Sequence, residues 1–78
     1  MKATQRKKVL TLAERLTLIH DDLQLVVDEE QEYLDNASAR AQESDRYAAT
    51  EELVESLNEV IESLDDARNT LFDAGKDQ

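Results

Sequence analysis

Cysteine, proline and tryptophan are absent from this 78-residue chain, and glycine occurs once, at Gly75. Without cysteine there is no disulfide and no thiolate metal site, so the staples of many small domains are excluded. With His20 as the single histidine, a zinc centre would lack its usual nitrogen and sulfur ligands. No apolar run approaches the ~18 residues of a membrane span, and the basic start from Met1 to Lys8 is not followed by the apolar stretch of a signal peptide. A cytoplasmic protein without a membrane partner is expected. Lacking proline and interior glycine, the chain has nothing to interrupt a helical pattern before its end.

What the chain has in quantity is charge. Nine basic and nineteen acidic residues give a formal charge of −10 and a pI near 4.3. That balance disfavours direct binding to nucleic acid or to an anionic membrane and favours a basic protein partner. The distribution is uneven: Lys2, Arg6, Lys7 and Lys8 give the first eight residues +4, and the remaining seventy sum to −14. Four cations without aromatic or glycine interleaving read as a solvated helix start and not as a nucleic-acid site.

Apolar residues recur at helical and not at strand spacing, so the chain is all-α. Val9, Leu12, Leu16, Ile19, Leu23, Val26 and Tyr33 fall three or four residues apart, with Ala13, Val27 and Leu34 beside them. They define a first helix over about residues 5–37. Leu53, Leu57, Val60, Leu64, Ala67 and Leu71 repeat in the same way, widened by Val54, Ile61 and Phe72, and define a second helix over about 45–73. Asn36 can leave the first helix in a left-handed conformation, and Ser44 or Thr50 can cap the second. With the turn near 38–44, the two helices form an antiparallel hairpin, one domain over residues 1–78.

A chain this short buries little of its surface, and oligomerisation is the remaining reinforcement. On a helical wheel Leu18 and Leu25 point away from the main stripe of the first helix and lie on one line. They are the expected dimer contact, with the first helix central and two hairpins closing into a four-helix bundle. His20 and Glu30 project from the apolar side, where a polar group costs free energy unless paired. His20, near the stripe's edge, is expected to be hydrogen-bonded or partly exposed, and Glu30 is a candidate for fixing oligomeric state.

No catalytic constellation stands out. There is no glycine-rich phosphate loop and no nucleophile at a recognisable spacing from the histidine. A dimetal carboxylate bundle needs a glutamate three residues before a histidine, and that position is Thr17. No enzyme activity, cofactor or metal is expected. The second helix instead carries an acidic ridge of Glu51, Glu52, Glu55, Glu59, Glu62 and Asp66, continued by Asp73. Its carboxylates repeat about 5–6 Å apart along the axis, a spacing on the scale of phosphates along a nucleic-acid strand. Such a ridge suits the basic groove of a nucleic-acid-binding protein, and an acidic face is also how a small helical protein stays hydrated.

The basic start, the run Asp28-Glu29-Glu30-Gln31-Glu32-Tyr33-Leu34-Asp35-Asn36, the segment Gln42-Glu43-Ser44-Asp45-Arg46 and the closing Glu-Glu-Leu-Val-Glu-Ser-Leu motif carry a resemblance over nearly the whole chain. It resembles small acidic helical-hairpin proteins encoded by prophages and mobile elements of Gram-positive bacteria. Ala37-Ser38-Ala39 departs from the proline-containing turn of that pattern. The resemblance implies a phage or mobile-element accessory protein in a bacterial host cell, without implying an activity. The expected function is therefore a non-enzymatic interaction module, an acidic inhibitor of a basic host protein. A purely structural or assembly subunit is the alternative.

Overall fold

The computed structural model describes residues 1–76 and consists of two long helices packed side by side: α1, Ala3–Asn36, and α2, Asp45–Lys76. A single 3-10 turn at Ala41–Glu43 lies between them. The result is a rod with extents of 59 × 14 × 13 Å. Two helices of this length cannot enclose much, because each presents only one stripe to its single neighbour.

The connection is built from short polar side chains. The Ser38 hydroxyl accepts from the Ala41 N–H at 3.1 Å, and the Gln42 side-chain amide donates to the Ala37 carbonyl at 3.2 Å. Ser44 caps α2: its Oγ accepts from the Tyr47 N–H at 3.1 Å, which satisfies one of the free donors of the first turn. Thr50 lies inside α2, where its hydroxyl donates back to the Arg46 carbonyl at 2.8 Å. Asn36 does not adopt the left-handed conformation expected of it. It is the last residue of α1, and Ala37 turns the chain out with φ −68 and ψ 135. The amide and hydroxyl bonds of the turn supply the exit that a left-handed residue would otherwise provide.

The seam between the helices is formed by one residue in seven from each. Val27 and Leu34 of α1 and Val54 and Ile61 of α2 are 4–8 % exposed and form one cluster. Leu23, Tyr33, Tyr47 and Leu57 pack against it half-buried. Toward the open end Ala13 is fully buried. Gly75 is buried beside Leu10, and a Cβ built on it would stand 2.5 Å from a Leu10 methyl. That glycine serves close approach and needs no unusual backbone angle. Among the described residues no large side chain is fully enclosed.

The two stripes read from the sequence are thus only half covered. Leu12, Ile19 and Val26 on α1 and Leu53 and Val60 on α2 are 45–53 % exposed. The stripes are three residues wide, and a hairpin supplies each helix with one neighbour, so the outer edge of both stays open. Both helices leave an apolar edge uncovered, and α1 in addition exposes Leu18 and Leu25.

Candidate functional site

Two surfaces carry chemistry beyond the seam, and heptad spacing decides where each lies. On α2 the residues facing α1 are Tyr47, Val54, Ile61, Arg68 and Gly75, seven apart. Glu52, Glu55, Glu59, Glu62 and Asp66 fall on the outer side of the helix, Glu51 stands nearer the seam in the row of Asp65, and all six are exposed. Asp73 is exposed as well. Among the described residues none of the six carboxylates takes part in an ion pair or a side-chain hydrogen bond. A ridge of free, hydrated carboxylates can attract and orient a cationic surface over a Debye length of ~8 Å at physiological salt. It offers no enclosed volume for a small molecule.

Acidic side chains are also dense near the connection. Residues 20–61 carry thirteen acidic side chains and two arginines, a net of −11. Residues 1–19 together with 62–76, at the open end, carry seven cations and five acids, a net of +2. The rod is therefore electrically polarised along its length.

His20 is half-buried, as the sequence suggested, but stands in the seam row of Ala13 and Val27 and not at the stripe's edge, with acidic neighbours the sequence did not indicate. Its Nε2 lies 3.3 Å from Asp65 Oδ1 across the seam, and its Nδ1 lies 3.1 Å from the exposed carboxylate of Asp21. Arg68 holds the same Asp65 oxygen at 2.7 Å. The imidazole thus stands between two carboxylates, one from each helix, both of them in reach of solvent. Asp65 and Arg68 stand three apart on one helix face, and that spacing is the signal available in the sequence. What it could not reveal was that His20 lies opposite.

Glu30 is half-buried in the row of Leu16 and Leu23, within the open apolar face, and its carboxylate has no ion pair among the described residues. Near the connection the Arg46 guanidinium stacks 4.7 Å from the centre of the Tyr33 ring, which ties the start of α2 to the end of α1. Leu18 and Leu25 are the most exposed leucines, at 65 % and 63 %, and project away from α2. They stand about 100° around α1 from the row of Leu12, Ile19 and Val26. The structure does not bring the two groups together.

Among the described residues no group of three or more histidine, aspartate and glutamate side chains is arranged to hold a metal ion. No helix among them is long and apolar enough to cross a membrane. The chain matches no protein-family model, no curated protein and no solved structure, so its two surfaces stand on their own geometry.

Proposed function

We propose that this protein is a non-enzymatic interaction module that presents the outer face of α2 to a basic, nucleic-acid-binding protein. The observation that supports this reading most is the free state of Glu51, Glu52, Glu55, Glu59, Glu62 and Asp66, exposed along α2 and unpaired among the described residues. Carboxylates recruited only to stabilise a helix would more often be matched with lysine or arginine four residues on. Here the positions four after Glu51, Glu55 and Glu62 are Glu55, Glu59 and Asp66, which repel them. A cationic partner relieves that repulsion and gains association rate from it.

In this reading the protein acts as an accessory factor of a phage or mobile element and inhibits its host target by occupying a groove that otherwise holds phosphates. Replacing Glu55, Glu59 and Glu62 together by glutamine removes three charges while keeping side-chain size and helix propensity. Binding to a basic nucleic-acid-binding protein retained from host lysate is expected to weaken about tenfold or more at low salt, mainly through slower association. The difference shrinks as salt rises. Binding indifferent to both the substitutions and the salt rejects this face.

The second reading is an assembly subunit without inhibitory action. The half-covered stripes favour it, because an open apolar edge on both helices is what a subunit presents to its neighbour. Recovery of phage particle components alone, with no basic enzyme, would decide for this reading.

A further inference from the structure

The open apolar edges of the two helices lie on one side of the rod. On α1, Leu12, Ile19 and Val26 stand one residue before the seam positions Ala13, His20 and Val27. On α2, Leu53 and Val60 stand one residue before the seam positions Val54 and Ile61. Because the helices run in opposite directions, equal offsets from a shared seam turn both rows toward the same face. Half-buried Leu16, Leu23, Leu57 and Leu64 fill the space between them.

We propose that this face, marked by Leu12, Ile19, Val26, Leu53 and Val60, receives a second copy of the same chain turned end for end, giving an antiparallel four-helix bundle. Three observations select a second copy as the occupant, and the first is area. The chain exposes 5859 Å², roughly 1000 Å² more than the ~4800 Å² expected of a folded monomer of this mass. A face of 59 by 14 Å is on the order of the ~800 Å² that each partner of a standard dimer buries.

The second observation is the flank of the face. The outer border on α1 is Lys8, Arg15, Asp22 and Glu29, all exposed and seven residues apart. Read along the helix it is basic, basic, acidic, acidic, which complements itself only when a second copy is reversed. An open groove lined by Lys8, Leu12 and Arg15, among others, begins that border. The corresponding border on α2 is Ala49, Ser56, Ser63 and Thr70, small and uncharged. If two faces met with like ends together, α1 of one copy would lie over α2 of the other, and its four charges would face that small, uncharged row. Turned end for end, α1 lies over α1 and α2 over α2. Lys8 and Arg15 then face Asp22 and Glu29 of the second copy, and the small border of α2 permits close packing.

The third observation is electrostatic. The reversed arrangement sets the +2 end of one rod over the −11 half of the other, whereas like ends together would stack the two acidic halves. Within α1 the charges also run against the helix dipole. No acid occupies the first turn and no base the last, while α2 begins on Asp45 and ends on Lys76 in the favourable sense. A reversed second α1 supplies each end of the first with the opposite charge.

The α2 border of this surface adjoins the acidic ridge, with Ala49, Leu53 and Ser56 lining one open groove together with Glu52, Glu55 and Glu59, but the proposal does not rest on the partner reading of that ridge. It also differs from a contact through Leu18 and Leu25. Sedimentation equilibrium at micromolar concentration is expected to give about twice the 8.9 kDa chain mass; a monomer up to about 100 μM overturns the proposal. Lys8→Glu with Arg15→Glu should weaken association about tenfold or more at low salt, and adding Asp22→Lys with Glu29→Lys should restore it. A dimer indifferent to the first pair, or not rescued by the second, refutes the reversed arrangement. Leu18→Glu with Leu25→Glu should leave the dimer intact, and dissociation there places the interface elsewhere. Because the chain has no native cysteine, Thr4→Cys, in the exposed row of Leu18 and Leu25, carries a single spin label at the open end of each copy outside seam and face. Reversed copies separate the labels by about 45 Å or more, and like ends together bring them within about 30 Å. The short distance overturns the proposal. Circular dichroism on every variant confirms that helix content is unchanged.

Discussion

The closed seam and the open face of this rod are made of the same residue types at the same spacing, yet one is buried and the other is not. Val27, Leu34, Val54 and Ile61 keep 4–8 % exposure, while Leu12, Ile19, Val26, Leu53 and Val60, one heptad position away, keep 45–53 %. Apolar character therefore does not decide burial in this chain; the number of neighbours does. Each helix has one partner within the hairpin, and a stripe three residues wide asks for two.

The largest expected effect separates seam from face directly. Leu34→Ala or Ile61→Ala should cost roughly 2–5 kcal/mol, because both side chains are nearly enclosed. In so small a domain that approaches the whole stability. Urea melts followed by circular dichroism check it, and a loss under ~0.5 kcal/mol for both would erase the distinction between the two regions. Removing the cap of α2 should cost less: Ser44→Ala is expected to lose about 1 kcal/mol, since the Tyr47 N–H keeps only water as a partner. The seam stays closed in that variant, so helix content at low temperature should be unchanged.

The smallest effect is the most informative. Leu53→Ala, measured in dilute chain, should fall within about 0.5 kcal/mol of the parent, the range of surface changes. At higher concentration its cost should grow, because a second copy that covers the face stabilises the parent by mass action. A cost independent of concentration would show that the open face is merely surface.

Much of the fold was legible in the sequence, for physical reasons that also mark its limits. Helical periodicity without proline or interior glycine determines two helices, and Ser44 ahead of Asp45 marks where the second begins. Burial was less legible. Leu53, Val60, Leu12, Ile19 and Val26 have the spacing of core residues, and spacing reports which residues share a face, not what covers it. Width was the missed signal, since Val54 and Ile61 beside Leu53 and Val60 already made the stripe too broad for one partner. The acidic ridge was legible because Glu52, Glu55, Glu59, Glu62 and Asp66 stand opposite the apolar stripe of their own helix, and charge there faces outward. The partner of His20 was not, because opposition across a seam depends on how two helices are aligned, which neither helix encodes alone. The role of Gly75 depends on the same alignment, because only the opposing helix places Leu10 against it.

His20 and Gly75 restrict the register of the hairpin. Heptad-repeating helices can slide past one another by seven residues and still match apolar with apolar. Sliding α2 one way would set Arg68 against Leu10 in place of Gly75, and Asn58 against His20 in place of Asp65. Sliding it the other way would set Phe72 against His20 and carry Leu10 past the end of the helix. Either slip overfills a space sized for a hydrogen atom or strands an imidazole without its carboxylate across the seam. The uniform leucine and valine layers would tolerate several competing hairpins; the glycine and the histidine, which contribute least apolar area to the seam, admit one.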